Sequence, residues 1–281
     1  MTLQQDALFA FGLGYTAEIL GKRLLKAGWQ VAGTVRSEEK ADRLRALGFE
    51  ITIWDGSEPV TPPAGAHWLI SAPPGDTGCP AFLAARQAET AASITYLSTT
   101  GVYGDLGGDW AYEWTSVNPQ SDRARRRVLA ELQWQSVGAP VSIVRLPGIY
   151  GPGRSAFGRL RRGAAKRIVK PGQVFSRIHV DDIATGLEAR LARPDTSGVL
   201  HLCDDHPAPP QDVIAYAAEL MGVDVPPDEP FETAELSDMA RSFYSECKRI
   251  ANGRTKSVLG WTPKYANYRA GLAAILAAEG V

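Results

Sequence analysis

Short apolar runs rich in β-branched residues alternate with amphipathic segments over the first two-thirds of the chain. The apolar runs predict β-strands at residues 7–11, 30–35, 51–54, 67–72, 95–99 and 141–146. The segments between them predict helices at about 16–27, 37–47, 80–93 and 121–136. Strands that alternate with helices in this way indicate a doubly wound α/β fold, in which a mostly parallel Rossmann sheet is covered on both faces.

The pattern becomes less regular after Gly148. Residues 150–172 are rich in Gly, Arg and Lys, residues 181–192 have the pattern of a helix, and residues 199–203 have that of a strand. We therefore expect a dinucleotide-binding domain over residues 1–150 and a smaller, interleaved substrate region over 151–281. Segments around 179–203 are expected to return to the main sheet.

Composition excludes several classes of protein. The chain has 281 residues, 44% of them apolar and 22% charged, with a formal net charge of −1, so no global field favours nucleic acid or anionic lipid. Its three cysteines and four histidines are scattered, without the spacing of a disulfide framework or a metal site. The N-terminus lacks the pattern of a signal peptide, and no run approaches the roughly 18 apolar residues of a membrane helix. We expect a cytoplasmic protein with reduced thiols.

A Gly-x-Gly-x-x-Ala sequence joins the first predicted strand to the first predicted helix. Gly12 permits the tight turn, Gly14 lets the backbone approach a diphosphate, and Ala17 keeps helix and strand close. The start of the helix offers free N–H groups and partial positive charge to phosphates. We predict that a nicotinamide dinucleotide binds here, in contact with Gly12, Leu13, Gly14, Tyr15 and Thr16.

The end of the second strand bears on the choice between NAD and NADP. An NAD site usually places a carboxylate there to bind the ribose 2′-hydroxyl. This chain has Arg36 and Ser37 instead, which suit a 2′-phosphate, so we predict NADP in preference to NAD. In the alternative, Arg36 is a surface residue, Ser37 caps the next helix, and Glu38 or Glu39 supplies the missing acid.

Two further strand ends are predicted neighbours of the cofactor, because ligands of such sheets lie beyond the carboxyl ends of the strands. Asp55 follows the third strand, where it is placed to accept a hydrogen bond from adenine; ordinary turn chemistry is the alternative. The residues that follow the fourth strand are Ser71, Ala72 and Pro73.

Three later segments resemble the extended short-chain dehydrogenase/reductase superfamily, in the branch of nucleoside-diphosphate-sugar epimerases and dehydratases. Residues 98–104 (STTGVYG) resemble its fifth-strand active-site segment, residues 145–153 (RLPGIYGPG) its sixth-strand segment, and residues 177–184 (RIHVDDIA) the segment that returns to the sheet. The resemblance covers nearly the whole chain and implies a nicotinamide dinucleotide and a homodimer formed through helices flanking the sheet. It also implies cofactor contacts at Ser98, Pro147 and Gly148 and substrate contacts at Tyr150 and Arg154.

The chain departs from this family at its catalytic pair. The family has Tyr-x-x-x-Lys on the helix after the fifth strand, followed four residues later by Glu. Alignment on Glu131 places Arg123 at the tyrosine position and Arg127 at the lysine position. Both arginines share a helix face and are expected to point toward the nicotinamide. Arg127 keeps a donor for the ribose. Arg123 cannot replace the tyrosine, because a guanidinium with a pKa above about 12 is a poor proton shuttle.

Other residues are weaker candidates for the chemistry. Thr99 matches the family's active-site Ser/Thr, which binds a substrate oxygen. Tyr103 is predicted as the proton donor, with a packing role as its alternative, and Glu113 as either an acid or a solvated loop residue. His179 precedes Asp181 and Asp182, where an aspartate is expected to cap a helix and the His–Asp arrangement to be structural rather than catalytic.

Two clusters of basic residues remain, at 123–127 and 154–167. The neutral overall charge and the lack of interleaved aromatics disfavour nucleic acid, so we expect the arginines to bind an anionic substrate such as a nucleotide sugar, or to form a solvated helix face.

The sequence supports two hypotheses about function. One is an NADP-dependent oxidoreductase or epimerase-like enzyme acting on a small polar or anionic substrate. The other is a non-catalytic NADP-binding sensor.

Overall fold

The computed structural model describes residues 6–279, and its centre is one seven-stranded parallel sheet with the strand order β11-β7-β5-β4-β1-β2-β3. The strands are β1 (Ala7–Phe11), β2 (Gln30–Val35), β3 (Glu50–Ile53), β4 (His67–Ile70), β5 (Ser93–Thr99), β6 (Trp110–Ala111), β7 (Val141–Leu146), β8 (Gly148–Tyr150), β9 (Arg167–Val169), β10 (Arg177–His179), β11 (Gly198–His201), β12 (Asp228–Pro230) and β13 (Arg249–Ile250). The order reverses between β1 and β4, which places a crevice at the carboxyl ends of these two strands.

Helices cover both faces of the sheet, as the alternating pattern predicted. They are α1 (Tyr15–Lys26), α2 (Glu38–Arg45), α3 (Asp122–Gln135), α4 (Phe157–Arg161), α5 (Val180–Leu191), α6 (Pro210–Met221), α7 (Asp238–Phe243), α8 (Gly253–Leu259) and α9 (Tyr268–Glu279), with 3₁₀ helices at Pro80–Thr90 and Thr100–Tyr103. Gly28, with φ +85°, follows the end of α1 as expected. The α/β Rossmann architecture is therefore confirmed.

Alternate residues of β1 face the two apolar layers of the core. Leu8 and Ala10 pack on the side of α1 and α5, whereas Phe9 and Phe11 pack with Trp68 on the other face. Such two-sided burial is why the central strands read as continuous apolar runs. This burial fixes the direction of each strand and therefore the position of the residues that follow its carboxyl end.

Two predicted elements differ in detail. Residues 80–93 were expected to form an α-helix, but Pro80–Thr90 form the tighter 3₁₀ helix. The fourth strand was expected to reach residue 72 but ends at Ile70, because the amides of Ser71 and Ala72 both donate to the carbonyl of Phe11 and the chain bends there. This bend brings residues 71–73 against the glycine-rich turn.

Most residues after β7 form a smaller lobe, and one of their strands returns to the main sheet. Three parallel strand pairs (β8–β10, β9–β12 and β6–β13) lie outside the sheet, while β11 joins it beside β7. A separate apolar cluster, which includes Tyr150, Phe157, Ile214 and Leu272, forms the core of the lobe. Between residues 6 and 279, no helix has the length and apolar character needed to cross a membrane.

Candidate active site

The first glycine of the Gly-x-Gly-x-x-Ala sequence is required by the protein's own geometry. Gly12 has φ +90°, a left-handed conformation that favours glycine, and a Cβ here would lie 3.1 Å from the amide nitrogen of Ala72. The Gly12 amide donates to Thr34 Oγ1 (2.8 Å), and the buried Leu13 donates its amide to the Thr34 carbonyl (2.8 Å). The turn is therefore locked against β2.

The second glycine has open space in front of it. Gly14 is the N-cap of α1 with φ −78°, and a Cβ here would meet only Ser71 Oγ, at 3.9 Å. Within the described chain no side chain caps α1, so the first N–H groups, including those of Tyr15 and Thr16, remain free for an anion. The fold itself would tolerate a side chain at Gly14, so its absence fits the close approach of a diphosphate to the backbone.

The end of β2 presents the predicted NADP determinants to solvent. Arg36 is exposed and lines a cavity of about 620 Å³ together with Asp55 and Pro73. Ser37 occupies the N-cap position of α2, but among residues 6–279 its hydroxyl makes no capping hydrogen bond. Glu38, one of the two acids of the alternative interpretation, forms an exposed ion pair with Arg45 at 2.6 Å.

Asp55 adopts the turn chemistry that was its alternative interpretation. Its Oδ1 accepts hydrogen bonds from the amide (2.9 Å) and the hydroxyl (2.6 Å) of Ser57. These bonds lower the pKa of Asp55, and the nearby Arg36 lowers it further. The carboxylate still faces the cavity, where its second oxygen remains available to a ligand.

Ser98 and Thr99, the last two residues of β5, have hydroxyl groups in different surroundings. Thr99 is half-buried, and its Oγ1 accepts a hydrogen bond from the Gly101 amide (3.2 Å), which leaves the hydroxyl proton free to be donated. Ser98 points into the protein and donates to Glu131 Oε1. Any contact of Ser98 with a cofactor would therefore involve its backbone.

Glu131 belongs to a buried ion pair that sequence reasoning missed. Arg145 donates to it through Nε (3.1 Å) and Nη2 (2.6 Å), and the two side chains are only 6% and 4% exposed. The sequence did contain a signal, because Arg145 is a charged residue within an otherwise apolar strand. A charge in that position needs a buried partner.

Tyr103 continues this network, which contradicts its predicted place in the cleft. Its side chain is fully buried, and its hydroxyl accepts a hydrogen bond from Arg145 Nη1 (2.8 Å). His201 Nδ1 lies 2.7 Å from the Ala251 carbonyl, which can only accept, so Nε2 accepts the Tyr103 proton at 2.6 Å. Burial raises the pKa of Tyr103 to about 12. The phenol is therefore held inside the protein by Arg145 and His201 and does not line the cleft.

The burial of His201 makes the fold sensitive to acid. Burial lowers the pKa of His201 to about 4, against about 6.5 in the unfolded chain. Between these two pH values the unfolded chain binds a proton at His201 that the folded chain does not bind. The folded state therefore loses stability as the pH falls from about 6.5 through about 4.

Glutamine in place of His201 can supply the same donor and acceptor without titrating. Between about pH 7 and about pH 5, we expect wild type to lose about 2 kcal/mol more than His201→Gln in urea unfolding. Equal losses would show that His201 does not titrate in this way.

Glu113 is also structural in this arrangement. It is 7% exposed and accepts a hydrogen bond from Thr255 Oγ1 (3.1 Å), which itself accepts from the His201 amide (2.7 Å). This burial contradicts the alternative of a solvated loop residue, while a role as an acid stays a prediction. The loop of residues 105–120 is instead anchored to the sheet and to α8 through Glu113.

The two arginines at the family's catalytic positions have different surroundings. Arg127 donates to the Leu97 carbonyl (2.8 Å) and the Tyr96 hydroxyl (3.1 Å), so it lies along the flank of β5 rather than beyond its end. These acceptors on β5 hold its guanidinium, and the orientation of Arg127 toward the nicotinamide stays a prediction. Arg123 is exposed and has no acidic partner within 4 Å among residues 6–279.

The predicted substrate contacts also differ from one another. Tyr150 is buried against Gly271, where a Cβ would lie 2.0 Å from the phenol oxygen, and its hydroxyl has no partner among the described residues. Burial raises the pKa of Tyr150. Arg154 is exposed and stacks on the Tyr15 ring, with its guanidinium 5.2 Å from the ring centroid. Arg154 thus stands beside the start of α1, whereas Tyr150 belongs to the lobe core.

The two residues that follow the end of β7 are partly or fully exposed. Pro147 directly follows β7 and is half-buried, and Gly148 is exposed, with its amide donating to the Ser176 carbonyl (3.3 Å). The nearby Tyr15 hydroxyl donates to the Pro152 carbonyl (2.9 Å), which ties the start of α1 to the turn after β8. The start of α1 and the sixth-strand segment are therefore in direct contact.

The helix after β10 is capped by histidine, not by the expected aspartate. His179 Nδ1 accepts a hydrogen bond from the Asp181 amide (3.1 Å). Asp182 is fully buried and accepts from the amides of Lys264 (2.6 Å) and Tyr265 (3.0 Å). The arrangement is structural, as predicted, although the two residue types exchange the expected roles.

The chain is similar to several known proteins over much of its length. The chain is 49% identical to a functionally unknown conserved protein from Silicibacter pomeroyi, with a TM-score of 0.92 over 98% of this chain and 99% of that one. Protein YeeZ of Escherichia coli K12 is 28% identical over 76% of this chain and 84% of its own. A Streptomyces 3-diazoavenalumate denitrifying reductase is 30% identical over 52% of this chain, and the match spans about half (51%) of that reductase.

More distant structures share the fold. MoeE5 in complex with UDP-glucose and NAD has a TM-score of 0.77 at 18% identity, covering 97% of each chain. The human epimerase family protein SDR39U1 with NADPH has a TM-score of 0.74 at 17% identity, covering 99% of this chain and all of that one. No protein-family model matches the sequence.

Proposed function

Since the chain has the fold of the atypical, extended branch of the short-chain dehydrogenase/reductase superfamily, and belongs to one family with the Silicibacter protein, we propose that it is an NADP(H)-dependent oxidoreductase. The observation that carries this proposal is the bare backbone at Gly14, in front of the uncapped start of α1. Arg36, exposed beside the same crevice, supports NADP over NAD because its guanidinium suits a phosphate dianion.

The residues of the crevice favour hydride transfer that needs no acid from the protein. When bound, NADPH supplies a hydride equivalent from its nicotinamide ring. Thr99 would orient the substrate through the hydroxyl proton that its own bond to Gly101 leaves free. Arg123, which is exposed, would stabilise negative charge on the substrate, and water would supply the proton because Tyr103 is buried. The Streptomyces relative is itself named a reductase, which favours reduction over epimerisation.

A titration of purified protein with NADPH and NADH tests the cofactor proposal. We expect NADPH to bind at least about tenfold more tightly, because a charge-assisted bond to the 2′-phosphate contributes about 1.5–3 kcal/mol. Arg36→Gln should remove this preference and leave NADH affinity unchanged. Arg162→Gln, another exposed arginine, is the matched control and should bind like wild type. Equal affinity of wild type for both cofactors would remove Arg36 from this role.

A second candidate function follows from the missing catalytic pair. With Arg123 and Arg127 at the family's Tyr and Lys positions, and Tyr103 buried, the protein could bind NADPH without turning it over and report cofactor state to a partner. The two functions predict different behaviour against a panel of carbonyl and conjugated acid substrates. Oxidation of NADPH by any of them supports the reductase, whereas tight binding without oxidation across the panel supports the sensor.

A further inference from the structure

Three half-buried aromatic rings meet in the smaller lobe, on segments that are far apart in the sequence. Tyr244 lies between the other two: its ring centroid is 5.7 Å from that of Phe175 and 5.3 Å from that of Phe231. Phe175 precedes β10, Phe231 follows β12, and Tyr244 follows α7. We call these rings, with the two cations described next, the aromatic–basic patch.

Two cations stand over the same ring of this patch. Lys170 Nζ is 5.2 Å and the Arg241 guanidinium 5.1 Å from the centroid of Phe231. Lys170 donates to the Tyr244 carbonyl and Arg241 to the Ala234 carbonyl (3.0 Å), so both side chains are held in place by backbone oxygens.

Among residues 6–279 these two cations lack acidic partners, unlike Lys166 and Arg167 of the same lobe. No carboxylate of residues 6–279 lies within 4 Å of Lys170 or Arg241, whereas Lys166 pairs with Glu229 and Arg167 with Asp228. The acid that acts on Lys170 at longer range is Asp105, whose Oδ1 already accepts hydrogen bonds from two backbone amides. Both cations of the patch are therefore left without a carboxylate partner among the described residues.

The chain connects this patch to the crevice on both sides. Phe175 is followed by Ser176, whose carbonyl accepts the Gly148 amide at the end of β7. Four residues after Tyr244, Lys248 donates to the carbonyl of Gly104, which ends the active-site segment. The patch is thus linked through neighbouring residues to the segments that follow β7 and β5.

We infer that the aromatic–basic patch binds the substrate, and that this substrate is a small aromatic acid whose anionic group is attached to, or within a bond or two of, its ring. The inference rests on the proposed reductase function and names its substrate class. Ring and charge recognition are interleaved on one patch, with both cations about 5 Å from the same ring. A flat ring stacks on Phe231 or Tyr244 while its carboxylate contacts Lys170 and Arg241. A nucleotide sugar separates its base from its phosphates by a ribose, so it fits this compact arrangement poorly.

Binding of 1-naphthoate, with the neutral 1-naphthamide as its matched probe, tests the inference by calorimetry with and without NADPH. We expect the carboxylate to bind at least about tenfold more tightly than the amide. Lys170→Met and Arg241→Met should each weaken naphthoate binding about tenfold and leave NADPH affinity unchanged. Lys170→Arg should restore most of the affinity. Lys166→Met, a cation already paired with Glu229, is the control and should bind naphthoate like wild type.

Several results would overturn the inference. One is naphthoate binding that is indifferent to both Lys170→Met and Arg241→Met in variants whose thermal unfolding matches wild type. Others are equal binding of acid and amide, UDP binding at the patch more tightly than naphthoate, or no naphthoate binding at about ten millimolar. The cofactor proposal is tested separately, by titrating the protein with NADPH in the absence of naphthoate. Failure of that proposal can therefore be distinguished from failure of the inference about the substrate.

Discussion

Gly14→Ala is expected to weaken NADPH binding on the order of 100-fold, equivalent to about 3 kcal/mol, while the protein still folds normally. The backbone of Gly14 has φ −78°, which alanine adopts readily, and the added methyl group meets nothing in the protein closer than 3.9 Å. It would instead occupy the space through which the diphosphate approaches the first amides of α1. Fluorescence titration with NADPH gives the affinity, and urea unfolding gives the stability.

Gly12→Ala is the matched comparison, because the same methyl group is added two residues away. Here φ is +90° and the Cβ would lie 3.1 Å from the Ala72 amide, so this variant should lose about 1–3 kcal/mol of stability even without cofactor. The two substitutions should therefore have distinct effects: Gly14→Ala lowers NADPH affinity, and Gly12→Ala lowers the stability of the fold. If Gly14→Ala binds NADPH as tightly as wild type, the diphosphate does not approach this turn.

Glu131→Gln is expected to destabilise the fold by about 3–5 kcal/mol, the largest stability effect that we predict. The substitution leaves the guanidinium of Arg145 uncompensated in a site where both side chains are nearly inaccessible to water. It also weakens the hydrogen bond from Ser98 and the support of the Tyr103 hydroxyl further along the network. Urea unfolding at neutral pH measures the loss.

Asp122→Asn is the control, because Asp122 pairs with Arg125 on the exposed surface of the same helix. Exposed pairs contribute about 0–1 kcal/mol, so this variant should unfold close to wild type. In a double-mutant cycle, Glu131→Gln and Arg145→Met should be strongly non-additive, since each variant strands the charge that the other removes. A loss below about 1 kcal/mol in Glu131→Gln would contradict the importance of this buried pair.

The buried network also has a consequence for the active site. Ser98 and Thr99 are adjacent in the chain, and the hydrogen bond from Ser98 to Glu131 fixes the backbone direction in which Thr99 leaves β5. Arg145, Tyr103 and His201 extend this support to the carbonyl of Ala251 in the smaller lobe. The residue predicted to move protons thus contributes rigidity, because its hydroxyl is fully used inside the protein.

Local sequence determined the architecture and the cofactor turn of this protein. Apolar runs such as residues 30–35 and 141–146 match their observed strands, because burial on both faces of a parallel sheet leaves a continuous signal in the sequence. The glycine-rich turn was equally readable, since Gly12 and Gly14 depend on backbone conformation and space within a few residues. Arg36 was readable for the same reason, as its position follows from the end of a strand.

Tertiary structure alone decided what each polar side chain does. Tyr103 lies in the same segment as Thr99, yet only the packing of β7 and β11 brings Arg145 and His201 to its hydroxyl, over sequence separations of 42 and 98 residues. Arg127 turns to the carbonyl of Leu97, which is 30 residues away in the sequence. The patch of Phe175, Phe231 and Tyr244 arises from three distant segments. Hydrogen bonding and charge pairing depend on which groups the fold brings within about 3 Å, and local patterns carry no record of such long-range contacts.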